Sequence, residues 1–285
     1  MVERLTADVL RAVGVRHGFF GRRGGVSTGP FASLNVGPRS GDDPARVREN
    51  RARVARVLGV APERLLTARQ VHGRTVAVVD RPFPPDRAPE ADALVVERPD
   101  LAIGVTTADC APLLIVDPFG PRAAAVHAGW RGLAAGVIEA AVEALVRRGS
   151  RVRELRAAVG PCIGVASYEV GPDVHAAVCG HDPALAAHFR PGQMSGRWWF
   201  DLAGAAAAVL RACGLEAGRV EVLGRDTCAE AERFFSHRRS RLRGERRFGL
   251  QLSALVLSLP DLEEETAAAG ALHQPGEDET GDGEP

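Results

Sequence analysis

The sequence predicts an α/β protein, with strands and helices mixed in a single large domain. Three observations carry that expectation. Short β-type apolar runs such as "LAIGVTT" (101–107), "PLLIVDP" (112–118) and "RAAAVHA" (122–128) follow one another closely, while segments with helical apolar spacing stand elsewhere. The two kinds of segment do not alternate regularly, which argues against a doubly wound sheet. At 285 residues, 45% hydrophobic and 25% charged, the chain is long and apolar enough to build one sizeable core.

The elements follow in chain order. Residues 14–37, "GVRHGFFGRRGGVSTGPFASLNVG", are glycine-rich and irregular after a short strand, and predict a loop-heavy segment. Residues 42–60 place apolar side chains at 47, 54, 57 and 58 behind Asp42 or Asp43 as a cap, the pattern of a helix. "TVAVVD" (75–80) is a strand and "PFPPDRAPEAD" (82–92) a proline-rich loop. Four β-type runs come next, at 92–97, 101–107, 112–118 and 122–128. Residues 132–149 read as one helix, with Val137, Ala141, Ala144 and Leu145 on one face and Gly149 as its stop. A strand at 155–161, helices at 171–179 and 201–215, and strands at 219–224 and 250–258 complete a domain that spans 1–260.

Composition excludes several chemistries. All 36 basic residues are arginines, so lysine Schiff bases, a P-loop lysine and a lysine general base are ruled out. Anions must be held by arginine forks or backbone amides. The formal net charge of zero hides an asymmetry. Residues 261–285 hold nine acidic residues and no arginine, which leaves the first 260 residues at +9. That acidic tail has too little apolar surface to fold and is expected to be disordered. The arginines are scattered and aromatics make up 5% of the chain, so nucleic acid is not an expected partner. No apolar run approaches the roughly 18 residues of a membrane span, and the N-terminus lacks the signature of a signal peptide. A cytoplasmic monomer with no membrane partner is the expectation. The five cysteines, at 110, 162, 179, 213 and 228, are too irregular for a disulfide framework.

Chemistry is sought where reactive side chains interrupt apolar runs. "GVSTG" (25–29) matches a nucleophile-elbow pattern but leads into Pro30 and a loop rather than a helix. The stronger candidates are His72 in "ARQVHGRTVAVV", Cys110 in "TTADCAPLL" and His127 in "AAAVHAGW". Two imidazoles and a thiolate suit zinc with a fourth position open, the pattern of a catalytic site. The same Cys110 and His127 suit a thiol hydrolase, with Asp109 or Asn35 orienting the histidine. Three separate core residues are the third reading. Spacing alone does not separate the three.

The blocks "HGFFGRRGGVSTGPFASLNVG", "RQVHG", "ADALV", "TTADCAPLL", "AAVHAGWRGL", "GPCIGVASYEVG" and "FFSHRR" occur in this order. Together they resemble the family of laccase-like polyphenol oxidases, peptidoglycan editing factors and purine nucleoside phosphorylases, over roughly residues 15–256. The resemblance implies a single α/β/β/α layered domain with mixed sheets and one zinc held by His72, Cys110 and His127. It also implies phosphorolysis of adenosine, inosine and methylthioadenosine, with adenosine deamination beside it. The partners would then be a purine nucleoside and phosphate. A hydrolase or amidase that edits cell-wall precursors through Cys110, or polyphenol oxidation with copper, are the alternatives. Several coppers need more histidines than the eight present, no two of which stand two apart, although a single copper suits the same N/S site. For the phosphorolysis reading, Arg22 and Arg238 are the candidates for holding the anion. Asn35 is a candidate for bonding the ribose or aligning a ligand, and Asp109 for carrying a proton. Residues 240–249, "SRLRGERRFG", depart from the family pattern as an arginine-heavy stretch.

Overall fold

Two stacked mixed sheets, with helices on both outer faces, form the body of the protein in a computed structural model that describes residues 2–13 and 15–257. The expectation for the tail, 261–285, lies outside the described residues. One sheet has five strands in the order Arg4–Leu5, Arg16–Phe20, Gln251–Val256, Ala102–Thr107 and Leu65–Thr67. The other has six, in the order Val220–Val222, Arg156–Val159, Ala111–Asp117, Arg122–Ala128, Ala93–Val96 and Val76–Val79. Both contain parallel and antiparallel neighbours.

Strand periodicity explains the stacking. In the six-stranded sheet, Leu113, Ile115, Ala124 and Val126 face one apolar cluster, while Leu114, Val116, Ala123 and Ala125 face another. The second cluster also holds Phe19, Ile103, Val105 and Leu255 of the five-stranded sheet, so it is the seam between the sheets. The first is closed by helices Val137–Val146, Pro172–His181 and Leu202–Ala212. On the far side, helix Pro44–Leu58 lays Val54, Ala55 and Leu58 over Ala102, Leu252, Ala254 and Val256. Because both faces of each sheet are covered, the strands read as continuous apolar runs rather than alternating ones. Each large apolar side chain fully buried here contributes roughly 1.5–3 kcal/mol.

The helix expected over 132–149 is two helices, Trp130–Ala135 and Val137–Val146. Gly136, at φ +83°, adopts the left-handed conformation that ends the first and turns the chain into the second. Asp43 caps helix Pro44–Leu58 by accepting from the Ala45 amide, as its sequence position suggested. A short helix, His237–Leu242, and a three-stranded sheet of Glu169–Val170, Trp198–Phe200 and Phe189–Pro191 were not anticipated. No helix among the described residues is long and apolar enough to cross a membrane.

Candidate metal centre

Cys110 stands at a crossing point. Strand Ala102–Thr107 belongs to the five-stranded sheet and strand Ala111–Asp117 to the six-stranded one, so residues 108–110 carry the chain across the seam. Asp109 makes that sharp turn at φ +95°. His127 lies on strand Arg122–Ala128, opposite Pro112. Its neighbours Val126 and Ala128 pack outward under the helices, so alternation turns the imidazole to the other face, toward Cys110. His72 arrives from a loop, itself at φ +61°. The ligand atoms of His72, Cys110 and His127 all lie within 4.8 Å of one another, and the two imidazoles meet edge-on.

One carboxylate organises both histidines. Asp92 is fully buried, and its Oδ1 lies 2.8 Å from Nδ1 of His127 and accepts from the His72 amide at 2.9 Å. Its Oδ2 accepts from the amides of Val71 and Gly73, at 3.2 and 2.7 Å. Asp92 therefore fixes the His72 loop and, with the proton on Nδ1, leaves Nε2 of His127 free to ligate. Burial raises the Asp92 carboxyl, but the bond and charge of His127 and the amides of Gly73 and Val71 outweigh it and bring it below its ordinary value. Burial alone would likewise raise the Cys110 thiol. His127, and then His72, override this and hold it down at about 6. His127 is pushed up by the Cys110 sulfur and by Asp92 despite its burial. Without an ion the two groups thus favour a thiolate–imidazolium pair, and an ion taking the place of the Nε2 proton would meet a sulfur already inclined to the form that binds metals.

The residues fit a metal ion. Two imidazoles and one thiolate suit zinc, and equally a copper ion. Gly129 keeps the space open: a Cβ there would lie 2.8 Å from the Cys110 sulfur and 3.4 Å from Cδ2 of His72. Among the described residues this is the one group of three such side chains placed to share an ion.

The cluster opens into a cleft of about 600 Å³, within the usual range of a small-molecule site. Trp130, Tyr168 and Phe248 supply aromatic walls, and Arg39, Arg131 and Arg238 supply charge. Arg131 lies over Trp130 at 4.3 Å and Arg238 over Tyr168 at 5.3 Å. Nη1 of Arg238 donates to the carbonyls of Glu169 and Ser167.

The other expected residues divide. Arg238 and Asp109 line the cleft. Both carboxylate oxygens of Asp109 already accept, one from the Thr227 hydroxyl at 2.7 Å and one from the Arg238 amide at 2.6 Å. Asp109 therefore ties the Arg238 segment to the Cys110 turn. Arg22 does not reach the cleft. Its guanidinium donates to the carbonyls of Ala32 and Ala231, covers the Phe235 ring and lines a different cavity. Asn35 is fully buried, with its amide bonded to Ser40, Asp42, Gly37 and Leu250. It shapes the glycine-rich loop and is not among the residues lining the cleft. Ser27 of "GVSTG" is equally committed, donating to Asp42 and accepting from Asn50.

Sequence reasoning missed Asp92, which takes the orienting role considered for Asp109 or Asn35. It stands 35 residues before His127 at the edge of a proline-rich loop, where no spacing rule points to it. It also missed His237, Arg39, Arg131 and the aromatic walls, which only the sheet stacking brings together.

Residues 16–258 match the protein family described as multi-copper polyphenol oxidoreductase laccase. A protein of Deinococcus radiodurans named purine nucleoside phosphorylase is 39% identical over 272 residues, covering 92% of this chain and 97% of its own length. A purine nucleoside phosphorylase of Pseudomonas aeruginosa is 43% identical over 83% of this chain and 93% of its own. Among solved structures, the hypothetical protein YfiH of Bacillus licheniformis superimposes with a TM-score of 0.81 at 31% identity, over 86% of this chain and 93% of that one. YlmD of Geobacillus stearothermophilus gives 0.80 at 29% identity, over 90% and 96%.

Proposed function

The chain belongs to the family described as multi-copper polyphenol oxidoreductase laccase, and from that premise we propose that it is a zinc-dependent purine nucleoside phosphorylase. Its substrates would be adenosine, inosine or methylthioadenosine together with phosphate. The observation that carries this reading is the single N₂S cluster at the base of a cleft that offers both aromatic faces and arginines. Relatives named purine nucleoside phosphorylase support it. A three-ligand group does not supply the sites of several coppers, so the family's description is not carried over as this chain's reaction; copper remains the alternative occupant of the same site.

In the proposed reaction a phosphate oxygen bonds to the anomeric carbon of the ribose. The bond from that carbon to the purine breaks, and the departing base takes up a proton. Positioning and electrostatics carry most of such a displacement. Arg238, held by two carbonyls and the Tyr168 ring, is the fork that orients phosphate. Trp130 and Tyr168 offer faces for the purine. Asp92 keeps the Nδ1 proton on His127 and with it the direction of Nε2. A zinc ion in the cluster would supply Lewis acidity. Adenosine deamination, in which water replaces the amino group and ammonia leaves, is proposed as a second reaction of the cleft.

A second reading has its own support. Cys110, His127 and Asp92 form a nucleophile, base and orienting carboxylate, the arrangement of a thiol hydrolase acting on an amide of a cell-wall precursor. All five cysteines are free, which suits the reducing cytoplasm proposed for this monomeric enzyme.

Adenosine turnover, with and without phosphate, on metal-quantified protein beside Cys110→Ala tests both readings. Phosphate-dependent adenine release that requires zinc and the Cys110 thiol supports the phosphorylase. Absence of both adenine and inosine from zinc-loaded protein overturns it. A hydrolase would instead be blocked by thiol alkylation and indifferent to chelators.

A further inference from the structure

The arginine-heavy stretch "SRLRGERRFG" (240–249) builds a second cavity beside the metal cleft. His237 and Arg238, at the start of helix His237–Leu242, line the cleft. Ser236, Arg239, Ser240 and Arg243 line the second cavity, and Phe248 borders both. The second cavity holds about 530 Å³.

Its lining is unusual in charge. Five guanidinium groups surround it, from Arg22, Arg239, Arg243, Arg246 and Arg247, against the one carboxylate of Glu245. Two of the five are rigid. Arg22 is fixed by the carbonyls of Ala32 and Ala231, and Arg239 by those of Thr227, Cys228 and Phe234. The other three are exposed, and none of them is in an ion pair among the described residues. Burial, and then the charge of Arg239, holds Arg22 below the ordinary arginine value, and burial lowers Arg239 as well. Like charges are thus gathered around an open volume with little to offset them.

A folded chain tolerates such crowding where an anion offsets it. Planar guanidinium forks match phosphoryl oxygens two at a time, and an excess of four positive charges exceeds what one orthophosphate balances. The feature is a cavity rather than a stripe, and its only aromatic rings among the described residues are Phe235 and Phe248, so base stacking along an extended strand is not what it offers. We propose that this second cavity binds a compact oligophosphate, either free or as the phosphate chain of a nucleoside triphosphate. The site is independent of the reaction assigned to the metal cleft.

Calorimetric titration of the full-length, zinc-loaded protein with tripolyphosphate, and separately with ATP, tests this. Bound zinc is quantified before and after, so that heat from metal stripping is set aside. Three variants accompany the wild type: Arg243→Ala/Arg247→Ala in the cavity, Arg238→Ala in the cleft, and Arg81→Ala/Arg87→Ala as an equal loss of charge elsewhere. The expected result is saturable binding of tripolyphosphate that the cavity variant weakens about tenfold or more and the Arg81→Ala/Arg87→Ala variant leaves unchanged, while Arg238→Ala removes only the weaker component contributed by the phosphate position in the cleft. ATP binding tighter than tripolyphosphate identifies a nucleotide as the fitting ligand, whereas equal affinity identifies the phosphate chain alone. The absence of saturable binding to the wild type overturns the proposal. So does an equal loss in the Arg81/Arg87 variant, which would reduce the effect to net charge, or a loss confined to Arg238→Ala, which would place the anion in the metal cleft.

Discussion

Replacing Asp92 with asparagine removes one charge and almost no volume, and the hydrogen-bond inventory sets the consequence. The carboxylate has two donors on each oxygen: His127 Nδ1 and the His72 amide on Oδ1, and the Val71 and Gly73 amides on Oδ2. An amide group faces one of these pairs with its own N–H bonds, whichever way it is turned. If the amide nitrogen meets Val71 and Gly73, two backbone donors lose their acceptor and the His72 loop is released. If it meets His127, the imidazole must move its proton to Nε2 to accept at Nδ1, and Nε2 can then no longer ligate a metal. An orphaned donor in this part-buried loop costs at most about 1–3 kcal/mol, and loss of a carboxylate behind a metal-bound histidine weakens metal binding about 10- to 100-fold. Competition against a chromophoric chelator should therefore show zinc affinity for Asp92→Asn lower by that factor, with a lower melting temperature even when zinc is absent. Wild-type zinc affinity together with a wild-type melting temperature would refute the role assigned to Asp92.

Three further outcomes are expected. Gly129→Ala drives a methyl group to 2.8 Å from the Cys110 sulfur; it should lower zinc content and turnover and cost about 1–3 kcal/mol of stability, read by metal analysis and thermal melting. Arg238→Ala should raise the KM for phosphate about tenfold or more, since a charge-assisted contact is worth about 1.5–3 kcal/mol, while the KM for the nucleoside stays unchanged. His17 is buried, and the short distance from its Nε2 to the Ala7 amide (2.9 Å) requires the neutral ring, whose pKa burial lowers. Protonation then favours the unfolded chain, so the stability it contributes is complete above the unfolded value of about 6.5 and is lost as pH falls below it. Melting temperatures at pH 7.5 and pH 5 should therefore differ less in His17→Gln than in the wild type.

The fold was largely legible where burial on both sides made strands continuous and apolar, as in 101–107, 112–118 and 122–128, which fall within a residue or so of the observed elements. The helix over 132–149 was misread because its apolar face continues across Gly136, while the break depends on one backbone angle that periodicity does not sense. In the site, Cys110 and His127 stood out because small residues break the apolar runs around them. Asp92 did not, since its partners lie 19 to 35 residues away along the chain and meet it only through the pairing of strand Ala93–Val96 with Arg122–Ala128 on one side and Val76–Val79 on the other. Arg22 and Asn35 carried polar groups in a glycine-rich loop, a pattern shared by ligand contacts and by loops that satisfy themselves internally. Here the loop consumes both.

The chain passes from one sheet to the other at several points, the turn at 108–110 among them, yet all three ligands are rooted on the six-stranded side. Cys110 leads directly into strand Ala111–Asp117, His127 lies on the neighbouring strand Arg122–Ala128, and the His72 loop is tied to Asp92 at the start of strand Ala93–Val96. The five-stranded sheet contributes Thr67, Thr106 and Thr107 to the cleft wall but no ligand. An ion present in solution therefore favours the folded six-stranded half directly, by mass action. Substitutions deep between the sheets, such as Val116→Ala, should lower the melting temperature more than they weaken zinc affinity.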